Sequence, residues 1–416
     1  MRTTAARQGS LREHNLGIVL REVLDAAATG APPPSRADVA SATGLARATV
    51  SALVDRLVAS GLVAELEPVP TLRAGRPAVP LAAPSGTLAA LGAEVNVDYL
   101  GVRVVDLARG VLVERVVHGD YRGSDPAAVL AELGALVDEA VAALPGHGTD
   151  LRGGPATGSP ERRVARLAGA SLALPGLVDR TAGTLLLAPN LGWREVDVAC
   201  LLASSSTVLH DLPPLLANEA DLAARAEADL RRADGPPSFV YVSGEIGIGG
   251  ALVLDGEIFA GRHGWAGELG HTVVGDGRTL EQVAGQDAML RAAGLDRQAG
   301  VEPLLAAARA GEADALAALT AAGEALGVAL ANVVNLVDVG HVVLGGTYAR
   351  LAEHLRAPVL AALSARVLAA PWVLPTVDVA RGGDLAAMTG GALAVLGQVV
   401  AEPAEWLVEP EVAEAR

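Results

Sequence analysis

The sequence predicts an α/β protein in which a small N-terminal helix-turn-helix domain with a β wing precedes two larger α/β lobes. Three observations carry this expectation. Residues 11–60 repeat apolar side chains at helical spacing across two breaks. Residues 239–271 place β-rich runs around glycine-rich turns. The length of 416 residues suffices for two or three domains, each with its own core.

In chain order, Leu16, Val19, Leu20, Val23 and Leu24 mark a first helix over 11–28, ended by Pro32, Pro33 and Pro34. Ser35 followed by Asp38 is a capping-box start for a short helix to Thr43, broken by Gly44. A second helix over about 46–60 turns Val50, Leu53, Val54 and Leu57 inward. It leaves Arg47, Ala48, Thr49 and Ser51 outward near its N-terminus, the pattern of a helix-turn-helix. Strand-like sequence after Gly61, with a basic tip at 71–77, has the form of a wing. Two β-rich runs joined around Asp98 and Tyr99 then open the first lobe, followed by a helix over about 126–143. Residues 147–163 are low in complexity and are read as a surface insertion without assigned function. A strand over 165–174, an Ala-rich helix from Glu219 to about Arg232, helical sequence over 302–337, a strand at 341–344 and a last helix over 384–400 complete the pattern.

Composition limits what such a chain does. Apolar residues make up 51% and aromatics 2%, so the core must be built from Ala, Val and Leu. No apolar run is expected to span a membrane, and the N-terminus, with Arg2, Arg7 and Arg12, lacks the apolar segment of a signal peptide; a cytoplasmic location and no membrane partner are expected. The single cysteine, Cys200, excludes internal disulfides and cysteine-cluster zinc sites. The net charge of −16 is uneven: residues 1–83 hold nine Arg against seven Asp or Glu, leaving the remainder near −18. Only the N-terminal part suits a phosphate backbone. All basic residues are Arg, which removes any P-loop lysine.

The stretch 239–271 is the candidate site. Gly244, Gly247, Gly249 and Gly250 permit positive φ and close backbone approach, which a phosphate or sugar needs and which hairpin geometry alone also uses. Glu268 and His271, three residues apart, form a pair able to grip adjacent sugar hydroxyls or a capped loop with a surface histidine.

The motifs S-G-E-I-G-I-G-G (243–250) and H-G-W-A-G-E-L-G-H (263–271) together resemble the ROK family of sugar kinases and sugar-responsive repressors. That resemblance implies a two-lobed, actin-like (ribonuclease H-like) α/β fold. The N-terminal segment is similar to the winged helix-turn-helix of ROK repressors through residues 43–51, 61–65 and 75–77, though Ala46 stands where the family often has Ser. The resemblance implies DNA contacts by Arg47, Thr49 and Ser51, with Arg73 and Arg76 on the wing. It places Asn190, Asn218, Glu219, Glu268, His271 and Glu281 around a sugar.

Departures from the family pattern argue against catalysis. The phosphate-contacting D-x-G-G-T turn of the kinases is replaced by Glu94-Val95-Asn96-Val97-Asp98, where Glu94 repels a polyphosphate. Glu219 occupies the position of the aspartate that deprotonates the acceptor hydroxyl, its extra methylene displacing the carboxylate. The three cysteines that join the histidine in the family's zinc site are missing, so neither that metal nor a cofactor is expected.

The expected organisation is a winged helix-turn-helix at 1–85, a first lobe at 86–215, a second lobe with the sugar-site loops at 216–383, and a closing helix and tail at 384–416. The expected function is a non-enzymatic repressor of carbohydrate metabolism genes. Its partners are operator DNA and a sugar or sugar-phosphate effector, and its state is a homodimer or homotetramer. The alternative is an ATP-dependent sugar kinase with an appended DNA-binding domain.

Overall fold

A computed structural model of the chain describes residues 8–68, 78–144, 166–297 and 300–407. The wing tip with Arg73 and Arg76, and the insertion at 147–163, lie outside the described residues. The N-terminal domain contains helices Gln8–Ala28, Arg36–Thr43 and Arg47–Ala59, then a two-stranded antiparallel ribbon of Ala64–Glu65 and Leu81–Ala82. The expected capping box forms: the Ser35 side chain accepts from Asp38 N while the Asp38 carboxylate accepts from Ser35 N at 2.9 Å. Gly44 ends that helix at φ 72°, in the left-handed region that glycine adopts without strain. Arg36 ties three elements together, reaching Asp55 at 2.7 Å, Glu65 at 2.8 Å and the carbonyl of Ser51 at 3.2 Å.

The two lobes repeat one topology. In the first, Leu88–Val95, Tyr99–Asp106 and Val111–His118 run antiparallel in a meander, and Arg166–Leu174 and Leu215–Asn218 add in parallel on the other side. In the second, Phe239–Gly244, Ile248–Leu254 and Glu257–Ile258 form the meander, and His341–Gly345 and Thr376–Val379 add in parallel. Numbered by chain order within each lobe, both sheets read 3-2-1-4-5, the duplicated arrangement of an actin-like fold. The strand Leu215–Asn218 completes the first sheet, so that sheet reaches beyond the boundary expected at 215. A three-stranded sheet, Leu177–Asp179, Thr184–Ala188 and Trp193–Asp197, is inserted before it.

The connecting helix Glu219–Leu230 and the closing helix Ala386–Ala401 cross between the sheets, with Gly390 admitting the Leu222 backbone. The closing helix also packs on the first sheet, as expected for a chain that returns to its first lobe. Its residues Ala392, Val395, Leu396 and Val399 share one core with Leu16, Leu20, Val50 and Leu57 of the N-terminal domain. The N-terminal domain is therefore seated on the closing helix by apolar burial, and the turn Pro403–Trp406 that follows that helix is tied to the first sheet by Arg166 lying over the Trp406 ring at 5.6 Å.

One difference from the sequence expectation concerns helix Ala313–Val337, which by length and composition is apolar enough to cross a membrane. Ala315, Leu319, Ala322, Leu326, Leu330 and Val334 are buried in the second lobe, which explains its hydropathy as that of a core helix. It packs against helix Ala352–Arg366, where a Cβ on Gly323 would lie 2.5 Å from the Pro358 ring.

Candidate functional site

Strands Phe239–Gly244 and Ile248–Leu254 pair from Phe239 opposite Val253 to Gly244 opposite Ile248, leaving Glu245, Ile246 and Gly247 as a turn closed by Glu245 N donating to Gly247 O at 2.8 Å. The glycines act differently from the expectation of positive φ. None of Gly244, Gly247, Gly249 and Gly250 adopts it; the left-handed residues are Gly261, Gly264 and Gly267 in the following loop. The hairpin glycines instead remove side chains where other groups approach. A Cβ on Gly247 would lie 2.7 Å from Asn190 Nδ2 and 2.9 Å from Glu281 Oε2, and one on Gly250 would lie 2.6 Å from Gly267 O.

That close approach assembles one half of the cleft. Asn190, from the loop between Thr184–Ala188 and Trp193–Asp197, and Glu281, from helix Leu280–Ala284, meet over Gly247. Glu281 Oε2 also accepts from Ile248 N at 3.1 Å. Glu268 precedes the 3₁₀ turn Leu269–His271; burial raises its pKa, His271 opposes that shift and Glu281 adds to it. His271 is exposed, and Asn190, Glu268 and Glu281 are half-buried. Trp265 joins the lobes, its Nε1 donating to Val178 O at 3.0 Å and its ring stacking on His263 with centroids 5.1 Å apart. The motif that holds Trp265 carries no sequence signal of this role.

Asn218 and Glu219 stand at the start of the connecting helix. Asn218 caps it, Oδ1 accepting from Ala220 N at 2.8 Å, while Nδ2 donates to Gly176 O at 3.0 Å. Its polar atoms thus serve the helix start first, with one amide hydrogen left for a ligand. Arg180 reaches Asp221 at 3.0 Å, and burial still lifts the Asp221 carboxyl to about 6.

The other half of the cleft is a cluster of acids. Glu94, 2% exposed, and Glu245 are bridged by Asn96, whose Nδ2 donates to Glu94 Oε1 at 3.3 Å and to Glu245 Oε2 at 3.1 Å. Glu94 Oε2 is buried without a hydrogen-bond partner. Burial pushes Glu94 up to about 7; burial first, then Glu94 and Asp98, raises Glu245; burial, then Glu245, Glu94, Asp98 and Glu268, raises Glu219. A cavity of about 520 Å³ opens beside Glu245 between the lobes, lined by Asp98, His118, Arg122, Gln286 and Thr347 among others. Glu94 and Glu219 stand out in the sequence by their departure from the family pattern, whereas the parts played by Glu245 and Asn96 emerge only in the fold. The signal for Glu245 was its place inside the glycine turn, where a carboxylate is out of keeping with phosphate binding.

In the N-terminal domain the recognition helix Arg47–Ala59 buries Val50, Leu53, Val54 and Leu57 and exposes Arg47 and Thr49, with Ser51 half-buried. Its N-cap Ala46 makes no side-chain cap bond. The connecting helix links this domain to the cleft: it starts at Glu219, and beyond its end Arg232 pairs with Asp25 of the first helix. Asp229 in the last turn holds Arg109 at 2.7 Å and Arg232 at 3.6 Å.

Comparison with known proteins agrees with this architecture. An IclR helix-turn-helix domain matches residues 21–67. The xylose repressor of Caldicellulosiruptor bescii is 24% identical over 417 residues, covering 94% of this chain and 98% of the relative. The kanosamine kinase of Amycolatopsis mediterranei is 32% identical over 279 residues, covering 64% of this chain and 86% of the kinase. Among solved structures, a ROK family transcriptional regulator, a homolog of the E. coli Mlc protein, superimposes with a TM-score of 0.73 at 23% identity, covering 96% of this chain and 100% of that one. The ROK family model matches residues 158–398, more than half of the chain, and this protein is a member of the ROK family.

Proposed function

We propose that this protein is a DNA-binding transcriptional repressor of carbohydrate metabolism genes, controlled by a sugar or sugar phosphate held between its lobes, and that it does not transfer phosphate. The observation that carries the reading is the charge of the cleft. Glu94, Glu245 and Glu219 surround the place where a kinase of this family needs its phosphate turn and base, and carboxyl groups there supply no positive charge to a transferring phosphoryl group and repel it wherever they ionise. The opposite half keeps Asn190, Glu268, His271 and Glu281, groups suited to hydroxyls.

Regulation follows from the mechanical link. The connecting helix has its N-terminus at the base position and spans about 18 Å for its 12 residues. Its far end meets the N-terminal domain through Arg232 and Asp25. A sugar that favours one lobe closure shifts the pose of the recognition helix through this rod, by no more than its affinity difference between the two states. Arg47 and Thr49, with Ser51 beside them, supply the base and phosphate contacts in this reading, and a cytoplasmic dimer on a pseudo-palindrome supplies the affinity.

The test is fluorescence anisotropy with the intergenic DNA upstream of the protein's own gene against a scrambled duplex, at physiological salt, with a panel of sugars. Preferential binding relieved or strengthened by one sugar is expected. In Glu268→Ala that response should weaken by at least roughly tenfold in sugar concentration, the scale of a lost hydrogen bond to a charged group. Equal binding to both duplexes under every condition overturns the reading.

A further inference from the structure

A second cavity, of about 280 Å³, lies away from the sugar cleft, where the N-terminal domain meets both lobes. Five elements enclose it: the first helix, the hairpin turn after Asp106 in the first sheet, the connecting helix, the turn at Gly256 in the second lobe, and the closing helix. Leu24, Leu107, Leu393, Leu396 and Val400 form an apolar side. Arg21, Arg109, Arg225 and Arg232 stand along it with Asp25, Asp229 and Glu257, four positive charges against three negative ones in a chain of net charge −16.

Those acids leave much of the cationic capacity unused, since each guanidinium carries five N–H donors. Arg109 donates to Asp229 at 2.7 Å and Arg232 donates to Asp25. Arg225 comes no nearer than 3.9 Å to Glu257, whose side chain is 80% exposed. Among the described residues no carboxylate pairs with Arg21. Arg109 occupies the left-handed position of its hairpin turn, φ 65°, where glycine is the usual residue. Burial lowers its pKa further than Asp229 raises it, so the charge is only partly compensated. Guanidinium forks pair bidentately with phosphate oxygens, and the leucines beside them suit a short carbon skeleton. A neutral sugar would leave the same donors without an anion.

We infer that this junction cavity is a second effector site, which takes a small phosphate, as the free ion or as the ester of a small metabolite, through Arg21, Arg109 and Arg225. Arg21 belongs to the N-terminal domain, Arg109 to the first lobe and Arg225 to the connecting helix, so a phosphate shared among them holds the N-terminal domain in one pose on the lobes. The site is separate from the cleft, because Arg225 lies roughly 9 Å along the connecting helix from Glu219. Binding stands on this cavity alone. Its effect on DNA rests on the repressor reading: the phosphate changes operator affinity by as much as its own affinity differs between the DNA-bound and free poses.

The experiment is isothermal titration calorimetry of the full chain in phosphate-free buffer at physiological salt, with inorganic phosphate, glycerol 3-phosphate and citrate as titrants. The proteins are wild type, Arg21→Gln, Arg225→Gln and Arg309→Gln, each checked for folding by thermal melts. The expected result is saturable binding of glycerol 3-phosphate, tighter than that of inorganic phosphate because its carbons meet the leucines. Arg21→Gln and Arg225→Gln should each weaken it roughly tenfold, the scale of a lost charge-assisted hydrogen bond. Arg309→Gln, which removes an exposed arginine elsewhere on the second lobe, should bind as wild type does. Arg21 and Arg225 sit on separate helices, so either variant carries the reading if the other misfolds. Inorganic phosphate binding as tightly as the ester supports the site and makes the free ion its ligand. Tighter binding of citrate, no saturable heat at millimolar titrant, or an equal loss in Arg309→Gln overturns the proposal. Anisotropy at the operator with and without glycerol 3-phosphate reads the consequence: a shift in wild type that Arg225→Gln lacks is expected. Operator preference without such a shift overturns the regulatory effect, whereas phosphate binding by a chain with no operator preference sinks the repressor reading and leaves the site standing.

Discussion

On one side of the interlobe cleft, Asn190 and Glu281 close on the bare backbone of Gly247, and Glu268 and His271 stand beside them. On the other side, Glu94 and Glu245 share Asn96, and Glu219 lies within their field. Both sides are lined by polar groups, yet they suit different chemistry. The first mixes amide, imidazole and carboxylate, which together donate to and accept from hydroxyls. The second is acid upon acid, buried with its carboxyl pKa values raised, and it offers a nucleotide phosphate no cation. In the proposed reading the cleft holds hydroxyls on its first side and withholds from its second the positive charge that phosphate transfer needs, which suits a sensor. The difference teaches that two halves of one cleft can share a fold and differ in electrostatics, which is where the proposed loss of phosphate transfer would lie.

The largest expected effect tests the acid half. Glu94 has its folded pKa at about 7, against an ordinary value of 4.5. Between those values the folded chain binds more protons than the unfolded one. The stabilising contribution is therefore complete below about 4.5 and is lost as pH rises through 7. Glu94→Gln should remove this loss, raising stability at pH 8 by on the order of 2–3 kcal/mol relative to wild type, with the advantage shrinking towards pH 5. Thermal melts of both proteins across that range decide it. A constant difference between them would show that Glu94 is not held protonated by its surroundings.

A smaller effect tests the hydroxyl half. In Gly247→Ala the added methyl meets the ends of two side chains, Asn190 Nδ2 and Glu281 Oε2, which can swing aside. Stability should change by well under about 1 kcal/mol, while the displaced groups cost roughly tenfold in sugar response, about 1.4 kcal/mol. An unchanged sugar titration of the operator complex would remove Asn190 and Glu281 from the site.

The N-terminal domain was more legible in the sequence than the cleft, because its signals are local. The Ser35–Asp38 capping box, the break at Gly44 and the spacing of Val50, Leu53, Val54 and Leu57 each lie within a few turns, and the structure keeps all of them. The hairpin around Gly247 was also legible as a hairpin. The use of its glycines was not, since close approach by Asn190 and Glu281 depends on residues 57 and 34 positions away. The pairing of Glu94 with Glu245 through Asn96 spans 149 residues from the asparagine, beyond any periodicity. Likewise, the link from Arg232 to Asp25 appears only once the N-terminal domain is seated on the closing helix.

The smallest expected change asks whether the base position alone separates this protein from its kinase relatives. Glu219→Asp shortens the side chain by one methylene and restores the residue type found at that position in the family's kinases. It leaves Glu94, Glu245 and Asn96 in place, so the acid cluster that supplies no positive charge to a phosphoryl group remains. A coupled assay for ATP-dependent sugar phosphorylation should register no turnover above background for wild type or for Glu219→Asp, and sugar response at the operator should shift by less than about threefold. Turnover in Glu219→Asp alone would place the whole block to catalysis at one carbon atom and leave the acid cluster without its assigned role. Turnover in wild type would go further and return the kinase reading, because a carboxylate cluster that tolerates phosphate transfer cannot be what divides the two halves of the cleft.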